Sequence, residues 1–177
     1  LDRDPDVLDG LARHFGASAR TEYSTRTALQ NLLPTADLVV GAVLIPGAAA
    51  PKLVTREDLQ SMQPGSVLVD VAIDQGGCFE TSHATTHDDP TYVVDEVVHY
   101  CVANMPGGVA KTSTYALNNT TLPHLKRIAG LGARKALETD QHLRAGLNVA
   151  MGQITCKPVA EAHGLEFVPP ENIIENI

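Results

Sequence analysis

Neither a G-x-G-x-x-G fingerprint nor a Walker phosphate loop occurs anywhere in the 177 residues. Both motifs hold nucleotide phosphates on backbone amides at a helix N-terminus, so their absence counts against a self-sufficient nucleotide site. Basic residues are few. Thirteen Lys and Arg, scattered along the chain, face 21 Asp and Glu, a formal net charge of −8. A nucleic-acid surface needs clustered cations, so that class is excluded. Hydrophobic residues make up 44%, yet no apolar run is long enough to span a bilayer. The opening Leu1-Asp2-Arg3-Asp4-Pro5 is polar and lacks the apolar core of a signal peptide. Cysteine is scarce too: Cys78, Cys101 and Cys156 are odd in number and far apart. That pattern fits a reduced, cytoplasmic protein and not a disulfide framework. No initiator methionine is present, so the chain is read as a fragment or a processed product.

What the chain does contain is an alternation of helical and extended pieces. Val7, Leu8, Leu11, Ala12 and Phe15 have helical spacing, and Gly16 stops that helix. A short extended piece at 21–24 and a helix over 27–33 follow. Residues 37–44 read as a buried strand. Thr55 opens a helix with a capping box completed by Asp58. Pro64-Gly65 then leads into a strand expected to run from Val67 to Ile73. Short apolar pieces stand at Val93–Val94 and Tyr100–Val102. Strand–helix–strand order with short connections implies a parallel sheet with helical covers. The composition changes after Gly108. A long helix over 113–130 carries Pro123, which should kink or restart it. A helix over 135–147, a short strand at 154–156 and a helix over 159–163 complete the pattern. We divide the chain into a segment 1–111 and a helical segment 112–177.

The candidate chemistry gathers at Val69-Asp-Val-Ala-Ile-Asp-Gln-Gly-Gly-Cys-Phe-Glu-Thr-Ser82. In open α/β sheets, ligands bind beyond the carboxyl ends of the strands. Asp74 would stand at such an end, just before Gly76-Gly77. An acid that only caps a turn would give the same pattern. Asp70, four residues earlier on the same strand face, is expected to hydrogen-bond neighbouring backbone. His83 and His87 are four apart with Cys78 near, but Ala84-Thr85-Thr86 is poor helix context and Pro90 follows, so no metal site is expected. Asn104 can bond an amide or a ribose, or close an Asx-turn before Pro106.

Four stretches together closely resemble the L-alanine dehydrogenases. They are Ala36-Asp-Leu-Val-Val-Gly-Ala-Val-Leu-Ile-Pro-Gly-Ala48, Lys52-Leu-Val-Thr55, Val69–Ser82, and Tyr100-Cys-Val-Ala-Asn-Met-Pro-Gly-Gly-Val-Ala-Lys-Thr-Ser-Thr-Tyr-Ala-Leu117. The tail Lys157-Pro-Val-Ala-Glu-Ala-His-Gly-Leu165 agrees. The related transhydrogenase α subunits share the Asp-Leu-Val-x-Gly theme and the Gly-Gly, but lack Ile-Asp-Gln-Gly-Gly-Cys-Phe-Glu.

The resemblance implies a partial Rossmann-type sheet in residues 1–111, and helices in 112–177 that return to a substrate domain. It implies NAD-dependent, reversible oxidative deamination of L-alanine to pyruvate and ammonia, in a cytoplasmic homo-oligomer, a hexamer. Asp74 matches the active-site aspartate beside the nicotinamide. Asp2 matches the ribose-binding acid, and Ser24 lies near the adenosine. Val43 and Leu44 follow one strand; Ala72 and Ile73 precede Asp74. Val102, Ala103, Asn104 and Met105 border the nicotinamide. Asp2 also has a physical rationale, since an acid after a strand binds ribose hydroxyls and repels a 2′-phosphate. Val7 and His83 stand where some members carry basic residues. The phosphate loop, the catalytic histidine and the cations for the substrate carboxylate would precede residue 1, so the fragment alone is expected to be inactive. A non-catalytic nucleotide-binding or subunit-interaction module is the alternative from another class.

Overall fold

The computed structural model describes residues 1–43, 45 and 49–177. Two compact units emerge from its backbone contacts, one formed by Leu1–Val43 with Ala50–Ala103, the other chiefly by Asn104–Ile177. The first holds a four-stranded sheet of β1 (Leu38–Gly41), β2 (Val67–Asp70), β3 (Thr91–Val94) and β4 (Val97–Tyr100), ordered β1-β2-β4-β3. The central pairings are parallel, Leu38 opposite Val67 and Val67 opposite Val98. β3 runs antiparallel on β4, Thr91 opposite Tyr100. Three helices accompany the sheet: α1 (Pro5–Phe15), α2 (Arg26–Leu32) and α3 (Arg56–Leu59).

Local chemistry explains the helix boundaries. The Asp4 carboxylate accepts from the Asp6 amide, Pro5 takes the first helical position, and Gly16 ends α1 at φ 54°. In the capping box of α3, the Asp58 carboxylate accepts from the Thr55 amide at 2.8 Å. Leu33, Val54, Leu59, Met62, Leu68, Phe79 and Val97 form the core of this unit.

Two strands stop sooner than expected. β2 ends at Asp70, and Val71–Gln75 is a 3-10 turn. The Asp70 carboxylate accepts from the Ala72 amide at 3.1 Å and so turns the chain out of the ladder. Ala72 and Ile73 remain buried, which is why hydrophobicity alone could not separate turn from strand. Asp74 therefore lies in the turn, and it does not share a strand face with Asp70. β1 likewise ends at Gly41 and not at Leu44. The β3–β4 hairpin was not legible either. Its turn, Asp95-Glu96, has φ of 48° and 65°, where the usual sequence signal is Asn-Gly or Asp-Gly.

In the second unit, α4 (Ala110–Leu131) runs unbroken through Pro123, so the expected restart does not occur. Proline removes one backbone donor, but α4 has no buried residue, so water can satisfy the carbonyl that lost its partner. The expected helix over 135–147 is two helices, α5 (Ala133–Thr139) and α6 (Gln141–Ala145). Asp140 divides them. It caps α6 by accepting from the His142 and Leu143 amides, and it pairs with Arg127. A small hairpin of β5 (Val149–Ala150) and β6 (Gln153–Ile154) leads to α7 (Lys157–His163), which Gly164 ends at φ 63°. Tyr115, Leu117 and Leu125 on α4 are 62%, 67% and 60% exposed.

One buried group makes the first unit sensitive to pH. His99 is fully buried on β4, its Nε2 2.7 Å from Thr81 Oγ1 and its Nδ1 3.0 Å from the Val97 carbonyl. Burial holds the imidazole below its usual value of 6.5. The unfolded chain thus binds the proton more readily than the folded one. The stability from a neutral His99 is complete above about pH 6.5 and is lost as pH falls below it. We expect the urea midpoint to fall between about pH 7 and pH 5.5, and His99→Gln to flatten that dependence. The same slope in the variant would refute the assignment.

Candidate functional site

Asp70 organises the carboxyl end of β2. Its side chain is fully buried, with relative exposure 0%. Oδ1 accepts from the Ala72 amide at 3.1 Å and from the Cys78 thiol at 3.4 Å. Oδ2 accepts from the Cys78 amide at 2.9 Å, the Phe79 amide at 3.3 Å and the Ser82 hydroxyl at 2.5 Å. A carboxylate removed from water survives only with such a set of donors. Burial, followed by the charge of Asp70, pushes the Cys78 thiol up to about 12, so it stays a neutral donor. Gly77 closes the loop at φ 75°, where a Cβ would sit 2.6 Å from Asp70 Oδ2 and 2.8 Å from Ser82 Cβ. The turn Val71–Gln75 is thus clamped from below.

Asp74 rides on that turn. It is exposed and accepts no hydrogen bond among the described residues. The turn-capping task belongs to Asp70, which leaves the Asp74 carboxylate open to a ligand beyond the strand ends. Lys52 fixes the next two residues from outside, its Nζ donating to the Gly76 carbonyl at 2.5 Å and the Gly77 carbonyl at 2.8 Å. Lys52 was not singled out in the sequence for any role. The signal was its place in the Lys-Leu-Val-Thr stretch.

The other predicted residues of this unit also follow carboxyl ends of extended segments. Asp2 forms a parallel bridge with Tyr23. The Ser24 amide donates to the Asp2 carbonyl at 2.8 Å, which sets Ser24 beside the acid. One Asp2 carboxylate oxygen accepts from the Asp4 amide at 2.9 Å. Ser24, Arg26 and Lys52 line a cavity of about 300 Å³. Arg26 is anchored there by Asp58 Oδ1 at 2.7 Å. Val43 is half-buried just beyond β1; Leu44 lies outside the described residues. Ala72 and Ile73 are buried in the Asp74 turn. Val102, 2% exposed, bridges Thr85, and the Ala103 amide donates to the Thr85 carbonyl at 3.3 Å. Asn104 and Met105 belong to the second unit, at the head of a 3-10 turn in which the Gly107 amide donates to the Asn104 carbonyl at 2.9 Å. Val7 is exposed on α1. His83 stacks on Tyr92 with ring centroids 3.7 Å apart.

Comparison with known proteins gives a consistent relationship. The family model "Alanine dehydrogenase/PNT, C-terminal domain" matches residues 1–157. An alanine dehydrogenase of Halomonas elongata is 58% identical over 174 residues, 98% of this chain and 47% of the relative. That of Bacillus subtilis is 51% identical over 177 residues, 99% of this chain and 47% of the relative. The chain thus spans about half the length of the curated relatives it matches. A solved L-alanine dehydrogenase superposes with a TM-score of 0.81 at 46% identity, over 92% of this chain and 45% of that one. A transhydrogenase from Sinorhizobium meliloti reaches 0.53 at 31% identity, over 63% of this chain and 31% of that one. The mixed α/β fold with its parallel sheet agrees with the expected class.

The two aspartates should separate in a stability measurement. Asp70→Asn turns an amide donor or a single acceptor towards five donors, so unfolding free energy should drop by about 2 kcal/mol or more. Asp74→Asn should stay within about 0.5 kcal/mol of the parent, as an exposed change does. Equal losses in chemical denaturation would contradict this division.

Proposed function

Since this chain belongs to the alanine dehydrogenase/PNT C-terminal-domain family, we propose that it forms the cofactor-binding part of an NAD-dependent L-alanine dehydrogenase. The reaction is the reversible oxidative deamination of L-alanine to pyruvate and ammonia. The observation that carries the reading is the exposed, unengaged Asp74 carboxylate on a turn held by Asp70 and Lys52 at the end of a parallel strand. Residues 1–111 supply the nucleotide-binding portion, and 112–177 the helices that associate with a substrate domain. The transhydrogenase alternative is supported less, at the lower identity and coverage of its solved relative. The reading extends to a cytoplasmic homo-oligomer, a hexamer.

A bound NAD would supply the acceptor for the hydride of the alanine Cα. The residues of this chain supply position and charge. Asp2 and Ser24 hold the adenosine end, the acid accepting from ribose hydroxyls. The small and apolar Val43, Ala72, Val102 and Ala103, with Ile73 beside them, would let the nicotinamide approach the backbone. The Asp74 carboxylate faces the positive charge that develops at the alanine nitrogen and stabilises it. It then takes a proton from the water that adds to the imine carbon. Because Asp70 holds the turn, the Asp74 side chain is free to serve the reaction.

The test joins this chain to the part of the Halomonas elongata enzyme outside the match. In that chimera Asp74→Asn should lower turnover by about 10²–10⁴, with NAD affinity nearly retained. Asp2→Ala should instead weaken NAD by about tenfold, the worth of a charge-assisted hydrogen bond, with smaller change in turnover at saturation. Normal turnover of the Asp74 variant would sink the catalytic assignment.

A further inference from the structure

Arg3 follows the ribose acid directly and lines the same cavity of about 300 Å³ as Ser24, Thr25, Arg26 and Lys52. Three of these residues are cations, and two are already engaged. Arg26 holds Asp58 and the Leu53 carbonyl. Lys52 holds the Gly76 and Gly77 carbonyls. Thr25 is engaged as well, its hydroxyl accepting from the Ala28 amide to cap α2. Arg3 makes no hydrogen bond or ion pair among the described residues, and neither does the Ser24 hydroxyl. Asp2, meanwhile, has one carboxylate oxygen committed to the Asp4 amide. The cavity therefore offers an unpaired guanidinium and an unpaired hydroxyl next to an acid whose charge is partly satisfied by its own backbone.

An acid in this position repels a phosphate at the adenosine 2′ oxygen, and an adjacent arginine accommodates one. A guanidinium fork matches phosphate oxygens with two parallel hydrogen bonds. We infer that Arg3, with the Ser24 hydroxyl, seats an adenosine 2′-phosphate, so that the chain binds the phosphorylated as well as the unphosphorylated dinucleotide with Asp2 in place. This rests on the nucleotide-binding reading above. Arg3 is then a specificity-determining residue, opposed in sign to its neighbour.

Calorimetric titration at low salt of the same chimera with the remainder of the Halomonas elongata enzyme tests it, with 5′-AMP, adenosine 2′,5′-bisphosphate and inorganic phosphate as probes. The parent chimera should bind the bisphosphate at least as tightly as 5′-AMP. Arg3→Leu should weaken the bisphosphate about tenfold or more and change 5′-AMP by less than about twofold. Arg3→Lys should recover part of the loss, because the charge remains without the fork. Arg3 is exposed, so both variants should fold, and circular dichroism checks that they do. Equal bisphosphate affinity in parent and Arg3→Leu would overturn the proposal. So would 5′-AMP binding with the bisphosphate rejected, an outcome that leaves the nucleotide-binding reading standing. Inorganic phosphate binding as tightly as the bisphosphate would reduce the feature to a bare anion site and overturn it. If neither nucleotide binds, the nucleotide-binding reading falls together with it.

Discussion

A single buried carboxylate governs the geometry of the first unit. Asp70 ends β2, caps the turn after it, and gathers the returning segment through the Cys78 and Phe79 amides and the Ser82 hydroxyl. Removing a charge from water is costly, and the cost is offset only while every donor stays in place. That makes the arrangement nearly all-or-none. Phe79 and Cys78 enter the core, and Gly77 passes close to the carboxylate, on the path that brings their amides to this acceptor.

The remaining loops at this end of the sheet are tied by outward-facing bonds of the same kind. Lys52 grips the glycine turn, Arg26 reaches Asp58 and the Leu53 carbonyl, and Glu80 accepts from the Arg56 amide at the start of α3. These cross-links join segments far apart in sequence without using Asp74. Ligand-facing residues commonly sit on loops held by a rigid scaffold. Here two acids four residues apart divide the work, one buried and satisfied, the other exposed and available.

The alternation of elements, the helix stops at Gly16 and Gly164 and the Thr55–Asp58 capping box were legible because each has a local cause. So was the backbone-bonding role of Asp70. The end of β2 was not, because Val71, Ala72 and Ile73 continue the apolar run after the ladder has stopped. What ends it is a hydrogen bond to a side chain, invisible to periodicity. Asp95 and Glu96 hid the hairpin for another reason: tertiary packing of β3 on β4 holds two ordinary residues at positive φ. Asp140 is a strong helix cap in the middle of a helical pattern, and its effect was overridden in the reading by the apolar spacing around it. At the candidate site, Asp74 drew notice as an acid at an expected strand end, and Asp2 through the resemblance and its place before a helix. The grip of Lys52 on the glycine turn and the place of Arg3 at the cavity come from the fold and are encoded by no local pattern.

Polar contacts continue from Asp70 to the surface. Ser82 bonds its carboxylate, the Cys101 thiol lies 3.8 Å from the Ser82 hydroxyl, and the Tyr92 hydroxyl lies 3.5 Å from that thiol and donates to the Thr81 carbonyl. Tyr92 also stacks between His83 and His99. The β3–β4 hairpin and the Asp74 turn therefore share one set of bonds. In the language of native-state hydrogen exchange, such shared bonds would make them a single cooperative opening unit. The amides of Cys78 and Phe79 would exchange at the rate at which the hairpin detaches, and the order of the Asp74 turn would be as long-lived as a strand pairing on the far side of the sheet.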